Sequence, residues 1–465
     1  MLYYYATAIT IIMVKKRKKR QKEKRYFMRF PKEFYWGTSM SAHQVEGQNI
    51  FNDWWEWEQR GKILNRQVSG DACKHYDMYR EDFKMMKSMH HSMHRLSIEW
   101  SRIEQTEGQF NTSEINHYRK VLKELKKQGI TPMVTLFHFT LPHWFAKQGA
   151  FLHPDGRKKF IRYVRRVVQE LGDLVDYWVT INEPYVYTNF GYWEGLWPPG
   201  KHSLFKFRKV LKELLHTHID AYQTIKKVYK ENDWTAPEVG FAKSFVWFDP
   251  QKKNSIMSRA VSVMYQYLYN KLFFRPFYTG RYPLLFGFGK LHDAKKSLDF
   301  VGMNYYFRCA CHFSAFKSPL HMRLRTNTSV ERTLFNWEVF PKGLYRLLKI
   351  TYRKIKKPIF ITENGISTLD DTQRISYIVR HLEAIHRAMR EGVDVRGYLY
   401  WSFIDNFEWA EGYTQPFGLV GMNHRTFERI PKPSSQVYAA ICKTGKITDS
   451  IIDKYAKGIK DRILK

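Results

Sequence analysis

Cysteine is scarce, with only Cys73, Cys309, Cys311 and Cys442 in a chain of 465 residues. So few thiols cannot build the disulfide framework of small secreted domains, and a reducing, cytoplasmic compartment is expected. Cys309 and Cys311 form a C-x-C pair with no second pair at zinc-site spacing, so no metal site is read from them. Long apolar runs are also missing. Residues 2–14 are apolar, but they reach only about half the length of a membrane-spanning helix. The basic cluster Lys15 to Arg25 comes after that run, the reverse of a secretory signal. No stable membrane insertion is expected. Residues 1–27 read as a basic, disordered N-terminal extension, and Met28 as the start of the folded part. Acidic residues are in deficit, with 44 Asp and Glu against 77 Lys and Arg and a net charge of +33. Residues 1–27 hold nine Lys or Arg and one Glu, so they supply +8 and leave +25 for the rest. The remaining basic residues recur at helical spacing, as from Arg119 to Lys127 and Arg157 to Arg166. That is the pattern of solvated helix faces, so no specific nucleic-acid partner is expected. Finally, no Pro/Gly/Ser-rich linker divides the chain, which favours one domain over two.

Aromatic residues are abundant: 17% of the chain, including 14 Trp and 30 Tyr. Flat apolar faces in such excess suit the stacking of sugar rings or bases. From Phe30 onward, short β-branched or aromatic runs alternate with amphipathic stretches rich in Lys, Glu, Leu and Arg. Candidate strands are Tyr35–Ala42, His94–Trp100, Thr131–Phe139, Tyr177–Asn182, Val239–Ser244, Leu298–Asn304, Pro358–Thr362 and Val395–Trp401. Segments such as Ile115–Gln128, Lys158–Leu171 and Ile375–Glu391 carry apolar residues at three- and four-residue spacing and read as helices. Eight strand-then-helix units predict an α/β fold, a single (β/α)8 TIM barrel over 28–442, with 443–465 as a C-terminal tail or helix.

Such barrels build their sites at the C-terminal ends of the strands. The unusual polar residues stand there: Gln44 and Glu46 after strand 1, Arg95 in strand 2, His138 ending strand 3, Asn182 and Glu183 closing strand 4, Asn304 and Tyr306 closing strand 6, and Glu363 closing strand 7. Trp401 closes strand 8. A carboxylate right after a buried strand is costly unless paired or functional, because desolvation disfavours its charge. For Glu183 or Glu363 alone, capping of the next helix is an equal reading. Two such carboxylates in one barrel fit the pair that glycoside hydrolysis needs.

The motifs around them are specific. Thr180-Ile181-Asn182-Glu183-Pro184 and Ile361-Thr362-Glu363-Asn364-Gly365 resemble the acid/base and nucleophile motifs of glycoside hydrolase family 1. Phe30-Pro31, Trp36-Gly37 and Gln44-Val45-Glu46-Gly47 resemble that family's opening signature, and Asp299 to Tyr306 its strand 6. Gly397-Tyr398, Trp401-Ser402, Asp405 to Trp409 and Gly412-Tyr413 resemble its last strand and loop, so the resemblance runs from about Phe30 to Cys442. Leu96, Tyr185 and Asn423-His424 depart from the family's common residues. The resemblance implies a retaining exo-β-glycosidase that removes terminal β-D-glucosyl, galactosyl or fucosyl residues without metal or organic cofactor. Its partners would be small-molecule β-glycosides or short oligosaccharides.

By the same resemblance Glu363 is the nucleophile and Glu183 the acid/base, about 5–5.5 Å apart. Arg95 and Tyr306 would hold Glu363, with Asn304 beside them. Gln44, His138, Asn182, Glu408 and Trp409 would bond the non-reducing sugar, Trp401 would stack on it and Phe417 would close the pocket. Relatives that act on 6-phosphorylated sugars replace the Glu408-Trp409 pair, since a phosphate cannot sit beside a carboxylate, so unphosphorylated sugars are expected. Two other functions remain open at this point: transglycosylation at the same site, and a non-catalytic carbohydrate- or nucleic-acid-binding barrel.

Overall fold

A computed structural model describes residues 27–311, 322–323 and 330–455. Residues 1–26, nearly all of the segment read as a basic extension, lie outside them. Eight parallel strands form the barrel: β1 Tyr35–Ser39, β2 Met93–Ser97, β3 Thr131–Thr135, β4 Tyr177–Asn182, β5 Glu238–Pro250, β6 Phe300–Cys311, β7 Ile359–Asn364 and β8 Val395–Trp401. Each pairs with its sequence neighbours, and β8 pairs with β1, so the sheet closes on itself. The outer helices come in turn: α1 His75–Ser88, α2 Thr112–Lys127, α3 Gly156–Leu171, α4 Leu204–Glu231, α5 Ile256–Tyr265, α6 Pro341–Ile355, α7 Asp371–Arg390 and α8 Pro433–Thr444. The fold is the expected (β/α)8 barrel.

Strand alternation explains how this barrel carries a site. The lower lumen is filled by Met93, Met133, Val179, Ala242, Phe300, Phe360 and Leu399, with Tyr35 and Tyr177 packed against them. Because side chains alternate with period two, the residue two places on re-enters the lumen one layer higher. From Met93 that residue is Arg95, from Met133 it is Thr135, from Phe360 it is Thr362 and from Leu399 it is Trp401. The apolar plug thus forms the floor beneath a polar upper layer at the strands' C-terminal ends.

Several boundaries differ from the sequence reading. Strands β1, β2 and β3 stop at Ser39, Ser97 and Thr135, earlier than expected. The chain beyond each of these ends stays buried but turns helical or irregular: Ala42–Val45 is a short helix carrying Gln44, and Trp100 opens another. Apolar side chains there report burial rather than ladder hydrogen bonds. Conversely β5 and β6 run well past Ser244 and Asn304, because they continue to pair with each other up to Pro250 and Cys311. The chain ends also differ. Phe27–Arg29, whose first residue was assigned to the extension, pairs antiparallel with Lys446–Thr448 from the segment read as a tail. The helix Asp449–Tyr455 comes next, and Ile447, Ile451 and Ile452 are buried.

Candidate active site

The upper lumen brings together side chains from six of the eight strands. Glu183 caps the helix Pro184–Thr188 with a left-handed backbone, φ 44° and ψ 57°. A non-glycine residue enters that region only at a cost of about 1–2 kcal/mol, so its surroundings must hold it there. Part of the hold is its amide, which donates to the Ala242 carbonyl on β5 at 2.8 Å. Glu363 lies in the last turn of β7, and Gly365 beyond it touches the Trp401 carbonyl so closely that any side chain would collide.

One network joins the two carboxylates. Arg95, wholly buried, donates from Nη1 to Glu363 Oε1 at 2.5 Å, from Nη2 to Asn182 Oδ1 at 2.7 Å and from Nε to Thr135 Oγ1 at 3.0 Å. The Tyr306 hydroxyl donates to the other oxygen of Glu363 at 2.7 Å. Asn304 is the Cα partner of Glu363 across the β6–β7 ladder. Its amide donates to Glu183 Oε1 at 2.8 Å and to Asn182 Oδ1 at 3.2 Å. Glu363 and Glu183 are thereby linked through Arg95, Asn182 and Asn304 in one chain of hydrogen bonds. Thr362 donates to Asn304 Oδ1 at 2.6 Å, which fixes that amide's orientation.

The two carboxyl groups have different electrostatic surroundings. Burial pushes Glu363 above the ordinary carboxylate range, but Arg95, Tyr306 and Asn304 pull it back. Glu183 has only the Asn304 bond and faces the charge on Glu363, so burial and that repulsion push it up to about 8. The surroundings of Glu363 thus favour its charged form more than those of Glu183 do.

His138 has its tautomer fixed by its neighbours. Asn182 Oδ1 accepts from Arg95 and Asn304, so its amide nitrogen is the end that donates to His138 Nε2, at 3.1 Å. Burial and Arg95 keep the ring neutral, which leaves Nδ1 as the protonated nitrogen. Among the described residues that buried donor has no partner. Gln44 donates to the Phe407 carbonyl at 2.8 Å, to Asn406 Oδ1 at 3.2 Å and to Glu408 Oε2 at 3.4 Å. Glu408 is pushed up to about 8 by burial and by the charge on Glu363, against hydrogen bonds from Trp401 and Gln44. Trp401 and Trp409 both lie near His138, with ring centroids 6.1 and 6.0 Å from it and near-parallel planes. Phe417 is buried edge-on to Tyr306 at 5.9 Å. All twelve residues singled out from the sequence thus share one region.

Other residues of the region were not singled out. Thr135 and Thr362 orient Arg95 and Asn304. Trp337 packs against both Tyr306 and Phe417, and Trp197 packs against Trp409. Lys243 is buried on β5. It could have been noticed as the lone ionisable residue in the candidate strand Val239–Ser244. The tryptophans could not, since one Trp among 14 carries no positional signal.

Comparison with known proteins agrees with this geometry. The glycosyl hydrolase family 1 profile matches residues 26–447. A 1,4-beta-D-glucan glucohydrolase from Thermotoga neapolitana is 29% identical over 90% of this chain and 100% of its own length. A beta-glucosidase A from Acetivibrio thermocellus is 31% identical over 89% of this chain and 98% of its own length. Among solved structures, a beta-glycosidase from Pyrococcus horikoshii superposes with a TM-score of 0.85 at 38% identity, covering 92% of this chain and 98% of that one. A family 1 b-glucosidase from Thermotoga maritima in complex with isofagomine lactam gives a TM-score of 0.85 at 27% identity, covering 91% and 100%. A (β/α)8 barrel, two carboxyl groups joined in one hydrogen-bond network at its mouth and a profile match over nearly the whole chain lead to one conclusion: this chain is a glycoside hydrolase and belongs to glycosyl hydrolase family 1.

Proposed function

We propose that the chain is a retaining exo-β-glycosidase acting on terminal, unphosphorylated β-D-glucosyl residues, with tolerance for galactosyl and fucosyl groups. One observation carries the reading: Glu183 and Glu363 belong to one hydrogen-bond network and differ in what holds their charge. Direct attack needs the two carboxyl groups about 5–5.5 Å apart, as in retaining enzymes, rather than the ~6.5–9.5 Å that an interposed water requires. Glu363, bonded to Arg95 and Tyr306, attacks the anomeric carbon as the carboxylate. Glu183 gives its proton to the departing glycosidic oxygen, the C–O bond breaks, and the sugar is left as an ester of Glu363. That ester removes the negative charge that had kept Glu183 protonated, so Glu183, left as a carboxylate by the transfer, stays ionised until it draws a proton from water. The resulting hydroxide attacks the anomeric carbon and frees Glu363, with net retention of configuration.

Sugar hydroxyls are met by fixed partners. The unpaired Nδ1–H of His138, the amides of Gln44 and Asn182 and the carboxyl of Glu408 supply donors and acceptors, and Trp401 a stacking face. Asn182, held by both Arg95 and Asn304, is suited to the 2-hydroxyl, where contacts strengthen in the transition state. The four cysteines are free and buried, which supports a reducing, cytoplasmic setting.

The reading is tested with two variants and a substrate panel. Glu363→Gly should abolish hydrolysis. Glu183→Ala should keep slow turnover of activated aryl glycosides, with azide restoring release of the aglycone. Aryl glucoside, galactoside and fucoside should be cleaved and the 6-phosphoglucoside refused. Substantial activity of Glu363→Gly on natural glycosides would show that the roles are misassigned.

A further inference from the structure

Among the described residues, Lys243 makes no hydrogen bond to either carboxyl group of the double displacement. It is fully buried on β5. Its ammonium donates to the Ser244 carbonyl at 2.5 Å and sits 4.6 and 4.7 Å from the ring centroids of Phe245 and Tyr269. One hydrogen bond and two ring faces are a poor substitute for the hydration of an ammonium, so a charge held there needs a counter-charge nearby.

The neighbours of Lys243 lead to Glu183 by three routes. The residue before it, Ala242, accepts the Glu183 amide at 2.8 Å. The residue after it, Ser244, is the Cα partner of Asn304, whose amide bonds the Glu183 carboxyl. Tyr269, under the ammonium, donates to Ser244 Oγ at 2.9 Å and packs at 4.7 Å on Tyr185, two residues beyond Glu183. No ion pair among the described residues joins Lys243 to Glu183 directly. Both side chains are buried, where charges are weakly screened.

We propose that Lys243 is a positioning residue for the reaction, the buried cation that stabilises Glu183 once its proton has gone to the leaving group. The proposal rests on the acid/base role of Glu183. Burial draws the Lys243 ammonium down to about 7 while the Glu183 charge pulls it up, and reciprocally Lys243 lowers Glu183. The other ionisable groups facing Glu183 are Glu363 and Glu408, Arg95, Tyr306 and Tyr269. Glu363 raises it and Arg95 lowers it, while burial keeps both tyrosines protonated. Around Lys243 itself, Tyr269, with Tyr185 and Cys309 beyond it, is neutral for the same reason. Once Glu363 becomes an ester, Arg95 and Lys243 are the two cations that act on the ionised Glu183.

Two pH profiles separate this role from mere packing. The alkaline limb of kcat/KM tracks loss of the Glu183 proton in the free enzyme. The acidic limb of kcat, measured on a dinitrophenyl glycoside whose turnover is limited by deglycosylation, tracks ionisation of Glu183 in the glycosyl-enzyme. Without the nearby cation the carboxylate is less stable, so Lys243→Met and Lys243→Gln should both move the acidic limb of kcat to higher pH, by about one unit, and the alkaline limb less, because the ammonium itself loses its proton at about 7. Lys243→Gln keeps a polar side chain should Lys243→Met fail to fold. An acidic limb of kcat that stays at its wild-type position, or moves down, would overturn the proposal. Glu183→Ala serves as the control: it should lack the alkaline limb. A limb that persists in Glu183→Ala would instead overturn the acid/base assignment, and this proposal with it.

Discussion

Replacing Arg95 with Met gives the most direct measure of what holds Glu363 in its reactive state. The guanidinium is wholly buried and donates to Glu363, Asn182 and Thr135. Met traces the stem's path without the charge. A cation in hydrogen-bond contact lowers a carboxylate's pKa by about 1–3 units. Without it, burial acts on Glu363 with only Tyr306 and Asn304 in opposition. The acidic limb of kcat/KM, which tracks ionisation of Glu363, should therefore move up by about 1–3 units. Between the old and new limbs the rate should fall about 10- to 1000-fold, in step with the ionised fraction. Stability should change with pH as well. A buried charge stripped of its partner costs about 3–5 kcal/mol, but a carboxylate can escape by taking up a proton. In the variant the folded chain keeps a proton on Glu363 that the unfolded chain releases near the ordinary carboxylate pKa. The variant's deficit should be small below that value and grow as pH rises through the new Glu363 pKa. Profiles of kcat/KM for an aryl β-glucoside from pH 4 to 9, with melting curves at pH 5 and 8, measure both effects. A uniform rate loss with unmoved limbs, and a melting deficit equal at both pH values, would refute the reasoning. Arg95 would then merely place Asn182.

Tyr306→Phe removes one bond of 2.7 Å to Glu363 and nothing else that is charged. A hydrogen bond to a charged group is worth about 1.5–3 kcal/mol, so kcat/KM should fall about 10- to 100-fold, with a smaller upward shift of the acidic limb than Arg95→Met gives. Parallel kinetics of the two variants check that order. Glu408→Gln removes a carboxyl that burial has pushed up to about 8. A raised carboxyl costs stability as pH climbs from about 4.5 through that value, so the variant should gain melting temperature at pH 9 and little at pH 5. It should also lose glycoside turnover. An equal gain at both pH values would mean that Glu408 is not the source of the penalty.

The sequence made β4 and β8 legible to the residue, because each is an apolar run cut off by a polar or irregular segment at the barrel rim. It overran β1 to β3 because Met40, Ile98 and Leu136 to Phe139 remain buried after the ladder ends. It undercut β5 and β6 because their continuation is stabilised by pairing with each other, a contact between segments some 60 residues apart that no local pattern records. The pairing of Phe27–Arg29 with Lys446–Thr448 was hidden for the same reason. The twelve site residues were legible mostly through motifs rather than physics. For Lys243 the reverse holds: no motif marks it, but a lone ionisable residue in an apolar strand is itself a physical signal.

The alternation of the barrel strands has a practical consequence. Met93 and Arg95, or Leu399 and Trp401, are two places apart on one strand, so packing and chemistry depend on the same register. A slip of one residue would turn both members of a pair out of the lumen together. Turnover is therefore a sensitive assay of correct strand registration. A preparation that keeps its helical signal but has lost hydrolysis should first be checked for misthreaded strands.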